Sequence, residues 1–166
     1  MIAIKKQNRG FTIVELLIVI VVVIVLALLV ISTYSGIQSK TRDAKRQADL
    51  KSLQSQIEAF FTNNGYYPNL TDLNSPSWRS SNLKDFSPSV LVDPSSSCSP
   101  SKDKCLVGGN GEAKAYSYSA TQSDGITGCD GSIGSGNDQN CAKYTLTATL
   151  ENSLNGSKKY VLQNLN

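Results

Sequence analysis

Residues 5–31 read KKQNRGFTIVELLIVIVVVIVLALLVI, and their order decides the architecture. Lys5, Lys6 and Arg9 precede 21 residues, 11–31, that are interrupted only by Thr12 and Glu15. A helix rising ~1.5 Å per residue over that length matches the ~30 Å hydrocarbon layer of a bilayer. Cations ahead of it predict a cytoplasmic start and an outward remainder. In a secretory signal a short apolar region precedes the cleavage site. Here the one processing-like point, Gly10 before Phe11, comes first, so cutting there leaves the apolar helix on the mature chain.

Glu15 is a carboxylate inside an apolar span, a costly placement that marks function and calls for a partner. Two partners are open to it. Thr12-Ile13-Val14-Glu15 fits the S/T-x-x-E capping box, in which the glutamate closes the first turn and meets the positive end of the helix dipole. Alternatively, the amine that cleavage frees on Phe11 is a cation at neutral pH and meets Glu15 of an adjacent copy.

The helix is predicted to continue beyond the membrane, since residues 11–64 contain no proline or paired glycine. Ile37, Thr41, Ala44, Ala48, Leu53, Ile57 and Phe60 or Phe61 recur near one helical turn and predict a packing stripe. Asp43, Lys45, Arg46 and Asp49 have i,i+3 and i,i+4 spacings that suit pairing on the exposed face. The basic run Lys40, Arg42, Lys45, Arg46 and Lys51 reads as a solvated face beside the membrane. Asn63-Asn64-Gly65 followed by Pro68 is a stop signal. The expected layout is a cleaved leader over 1–10, a transmembrane helix over 11–35, an amphipathic continuation over 36–65, and a head over 66–166.

Residues 69–97 turn to Ser, Pro, Asn and Asp, a long connection with short helical turns expected at 70–73 and 83–86. Trp78 and Phe86 are expected to wall the core. Strands are predicted over 115–120 and 144–150 from alternation of apolar and hydroxyl residues and over 159–163 from a shorter run, with a hairpin around Asn155-Gly156 in a loop somewhat longer than two residues. The fold class is therefore α+β: a long N-terminal helix packed by its amphipathic half on a small antiparallel sheet of about three strands. Cys98, Cys105, Cys129 and Cys141 all fall in the outer part, where disulfides persist. Of three connectivities, the neighbour pairing of Cys98 with Cys105 and Cys129 with Cys141 is favoured because it closes two short loops. No C-x-x-C or histidine supports zinc. Asp124, Asp130, Asn137 and Asp138 are calcium-type ligands in a loop without EF-hand spacing, and a flexible surface loop is the default there. No metal and no cofactor is expected.

The stretch GFTIVELLIVI, residues 10–20, resembles the prepilin signature of type IV pilins and type II secretion pseudopilins. The match is specific over about residues 5–31, and a looser similarity to the pilin helix extends to Pro68. The resemblance implies a pilin fold, cleavage after Gly10 by a prepilin peptidase, N-methylation of Phe11, and an assembly role for Glu15. It implies partners as well: other copies in a homo- or hetero-filament, a membrane platform, and an assembly ATPase. Many relatives carry a proline near the end of the apolar stretch, where this chain has Ile31-Ser32-Thr33. The melting that such a proline promotes is not expected here, and Gly36 or the Ser32/Thr33 pair offers a bend instead.

Losing Lys5, Lys6 and Arg9 with the leader brings the 16 basic residues to 13, equal to the 13 acidic ones, so net charge makes no case for nucleic acid. Without histidine there is no Ser-His or Cys-His nucleophile, and no phosphate-binding glycine motif opens a helix. The chain is read as a non-enzymatic filament subunit, in the cytoplasmic membrane before assembly and extracellular after it. Its expected service is adhesion, motility or DNA uptake, with any surface or DNA ligand undefined. A secretion pseudopilin and a membrane-anchored extracellular binding module are the alternatives.

Overall fold

The computed structural model describes residues 10–102, 104–129 and 141–165, excepting the side chains of 31–33 and 35. It divides into two compact units that meet after Gln38. The first contains the apolar part of helix α1, which as an element runs over Ile13–Asn64 without a break at Gly36. The expected stop signal is realised at its C-terminus. Gly65 adopts φ +79° and donates its amide to Phe61 O at 2.7 Å, and the amides of Asn63 and Asn64 fold back onto the carbonyls of Ala59 and Phe60.

In the second unit the order is α2 (Leu70–Asn74), α3 (Pro76–Asn82), a 3-10 turn (Pro88–Leu91), β1 (Leu106–Val107), β2 (Tyr116–Thr121), β3 (Lys143–Leu154) and β4 (Ser157–Gln163). Asn69 and Asp72 cap α2 reciprocally. The second expected turn, at 83–86, is displaced: Ser75 caps Trp78 N and Pro76 occupies the first helical position, so α3 starts there and ends before Leu83. Arg79 is buried in α3 and donates to Leu73 O and Pro100 O, both at 2.6 Å, which ties the helix to the chain leading into β1.

The sheet order is β1-β2-β3-β4, with β1 parallel to β2 and the other pairs antiparallel. The α+β expectation holds with four strands rather than about three. The missed β1 has two residues, too short for alternation to reveal. Asn155 (φ 50°) and Gly156 (φ 81°) form a two-residue turn directly between β3 and β4, tighter than expected, with both φ values positive as a type I′ turn requires.

Leu50, Leu53, Ile57 and Phe60 of α1 are buried with Tyr116, Tyr118, Ala120, Tyr144, Leu146 and Ala148 of the sheet. The core is rich in tyrosine, and each phenol finds an acceptor: Tyr116 on Asp49, Tyr118 on Pro68 O, Tyr67 and Tyr144 on Glu58. Trp78 and Phe86 are half-buried at the core margin as expected, with the Trp78 ring 5.1 Å from Phe60. On the other sheet face Ser117 and Thr147 are also buried. The connection over 108–115 crosses there, with Gly111 (φ +95°) so close that a Cβ would lie 2.7 Å from Thr147 Cγ2.

Candidate assembly site

The start of α1 is built by Thr12 and Glu15. Thr12 N and Thr12 Oγ1 each donate to Glu15 Oε2 at 2.9 Å, and Glu15 N donates to Thr12 Oγ1 at 3.2 Å. This is the capping box of the local reading. Gly10 and Phe11 lie just before it, and Phe11 is exposed. The window Ile13–Val30 has a mean hydropathy of 3.6, long and apolar enough to cross a membrane. Even its least exposed large apolar side chain, Ile20, is 48% accessible.

Past Gln38 the helix meets its own head, and the packing stripe differs from the expected one. Thr41, Ala44 and Ala48 are exposed, whereas Asp43, Arg46 and Asp49 are buried. Arg46, 2% accessible, donates to Asp93 through Nε (2.7 Å) and Nη2 (3.1 Å), to Asp43 at 2.8 Å and to Glu151 at 3.0 Å. Arg42 grips Glu151 with two bonds of 2.6 Å. The solvated-face reading of the basic run therefore fails at Arg46. The reason is periodicity: Leu50, Leu53, Ile57 and Phe60 extrapolate back at steps of three and four to Arg46 and Asp43. That extrapolation was the signal in the sequence. Asp93 and Glu151, far away in the chain, left none.

Asp43 has a second task. Between the Thr149–Lys159 and Leu154–Ser157 pairs β3 takes five steps against two in β4, so β3 bulges. The backbone amides of Glu151 and Asn152 in that bulge both donate to Asp43 at 2.9 Å. Burial pushes the Asp43 carboxyl up, but these amides, the Asn152 side chain and Arg46 outweigh it and hold it below the ordinary carboxylate range. The Arg42 guanidinium, assisted by Arg46, holds Glu151 down at about 2. The cluster thus joins α1, the chain around Asp93 and the end of β3 through mutually neutralising charges.

Cys98 and Cys105 form a disulfide with Cα atoms 5.7 Å apart. Cys141 is buried and Cys129 half-buried against the same core. Burial pushes the Tyr118 hydroxyl well above its ordinary value, and Cys141, Tyr144, Cys129 and Tyr67 add to it. Asp124 accepts from the amides of Ile126 and Thr127 (2.9 Å each) and from the Thr127 hydroxyl, which commits its oxygens to its own turn. Asp130, Asn137 and Asp138 lie outside the described residues, among which no metal-type cluster of side chains occurs.

No curated protein and no solved structure matches the chain. A family model does, the prokaryotic N-terminal methylation motif, over residues 5–31. That segment contains the Gly10-Phe11 junction, the Thr12–Glu15 cap and the exposed apolar span, so the chain carries the prepilin signature of the type IV pilin and pseudopilin class.

Proposed function

We propose that the protein is a structural subunit of a type IV pilus-like filament. Hydrolysis of the Gly10–Phe11 bond by the prepilin peptidase releases the leader, Phe11 becomes the methylated N-terminus, and the subunit polymerises through its helix on the membrane platform and assembly ATPase. The observation that carries this reading is the apolar stretch Ile13–Val30, whose large side chains are all exposed, with a single carboxylate at its start. In the bilayer the surface is covered by lipid. Outside it, other apolar helices of the same kind offer a matching cover, and association removes that surface from water. Glu15 of one copy pairs with the Phe11 amine of its neighbour, a contact that is favourable only when both charges are matched in the dry bundle. The heads then form the extracellular surface that serves adhesion, motility or DNA uptake. In the same reading Cys129 and Cys141 form a second disulfide.

Glu15→Gln is the deciding variant. Glutamine serves at this capping-box position, so the helix start is kept while the charge is lost. Filament protein recovered by shearing should fall sharply while the membrane pool stays normal. N-terminal sequencing and intact mass of the parent material should show a methylated chain starting at Phe11 and lighter by four hydrogens for two disulfides. Unchanged filament yield with Glu15→Gln would reject the charge-pairing role. A chain starting at Met1 and confined to membranes would reject the filament reading.

A further inference from the structure

The edge strands of a sheet are templates for pairing with another chain, and the edges of this head are β1, buried at Leu106, and β4, which is largely exposed. Both are blunted by side chains. On β1 the Asn74 amide acts as a one-residue strand mimic: Leu106 N donates to Asn74 Oδ1 at 3.0 Å, and Asn74 Nδ2 donates to Leu106 O at 2.9 Å. Val107, the other residue of this strand, has the alternate backbone direction and faces β2.

On β4, Lys159 N donates to Ser157 Oγ at 3.0 Å, and Ser157 Oγ donates to Lys159 O at 3.3 Å. Lys159 therefore directs its backbone outward, and by alternation so do Val161 and Gln163. Gln163 O accepts Gln54 Nε2 of α1 at 2.7 Å. Two residues beyond β4, Leu165 N donates to Glu58 Oε1 at 3.0 Å. Among the described residues, the outward backbone left without a side-chain cap is the Val161 rung and the adjoining Gln163 amide. One rung is too short for a second strand to dock.

We propose that Asn74, Ser157 and Gln54 are edge caps that keep the heads of different copies from pairing strand to strand, so that association is left to the apolar helix. The inference stands on the sheet alone and does not depend on what the filament does. Its physical content is specificity. Backbone pairing is indifferent to side-chain sequence, so an open edge would join heads in any order, whereas three short polar side chains, each matched to one rung, satisfy the edge without adding a strand.

The test uses the full chain in detergent micelles that cover the apolar helix, with mass measured by light scattering after size exclusion. Gln54→Ala with Ser157→Ala opens β4 to three consecutive rungs and is expected to raise the oligomer fraction several-fold, in a concentration-dependent way. Adding Val161→Pro removes the central outward N–H and should return the fraction to that of the parent. Ser157→Ala alone, at an exposed position outside the core, should give a smaller rise and guards against misfolding of the double variant. An unchanged oligomer fraction in both variants, or association that persists with Val161→Pro, would overturn the proposal.

Discussion

The two stretches of α1 are the same secondary structure with opposite solutions to burial. Over Ile13–Val30 the helix is apolar on every side and its surface is exposed. Its one charged side chain is satisfied within three residues by Thr12. Over 43–60 the buried face begins with charges and ends with Leu50, Leu53, Ile57 and Phe60, and each buried charge has its partner in the chain's own head. An all-apolar helix is uniform and accepts any apolar neighbour, lipid or another helix. A face with Asp43 and Arg46 accepts only a surface that presents Asp93 and Glu151 in register.

Removing the charge that organises the second stretch should break the contrast most severely. Arg46→Met leaves Asp43, Asp93 and Glu151 close together without their shared cation, and denaturant unfolding should show a loss of about 3–5 kcal/mol in the head. Insertion of the apolar stretch should be unaffected. A loss under ~1 kcal/mol would mean that the cluster is ornamental and that the apolar residues alone hold α1 to the sheet.

The next largest effect is expected on the far side of the sheet. Gly111→Ala would place a Cβ 2.7 Å from Thr147 Cγ2 at φ +95°. A loss of about 1–3 kcal/mol is expected from thermal unfolding, with β2 and β3 amides exchanging faster. It should leave the helix start and filament yield unchanged below the melting temperature.

Acid should weaken the head in a defined window. Glu151 has a folded pKa of about 2 against an ordinary value of 4.5, so the folded state binds fewer protons between those values. Its contribution is complete above the unfolded pKa and is lost as pH falls towards 2; Asp43, also held low, acts in the same direction. Melting temperature followed from pH 7 to pH 2 should fall over that window, and less steeply in Arg42→Ala. The variant's own loss at neutral pH should be small, because the Arg42–Glu151 pair is a third exposed and screened. Equal slopes would assign the acid response to other carboxylates.

The smallest effect is expected at the helix start. Thr12→Ala deletes the cap while keeping the Glu15 charge, so filament yield should be nearly that of the parent, in contrast to Glu15→Gln. A loss as large as that of Glu15→Gln would show that the cap itself, and not the charge, is what assembly needs.

Much of the head was legible locally. The Asn63-Asn64-Gly65 stop, the α2 turn, three strands and the Asn155-Gly156 hairpin rest on turn chemistry and alternation within a few residues. The displaced α3 is legible too, since Ser75-Pro76 is a helix start. The buried charges were not. A charged residue in an amphipathic helix is assigned to solvent unless its partners are known, and Asp93 and Glu151 lie 47 and 105 residues from Arg46.

By itself the sequence determined the apolar helix long enough to cross a membrane, the Thr12–Glu15 cap at its start, and the α+β class, because these depend on length, hydropathy and contacts between near neighbours. Tertiary structure alone decided which distant partners the buried charges of α1 meet, where the β3 bulge sends its amides, and how both sheet edges are closed. Apart from the local Ser157–Lys159 cap, these are hydrogen bonds and ion pairs between distant positions, and their energy exists only when folding has brought the two groups within about 3 Å and excluded the water that would otherwise solvate them.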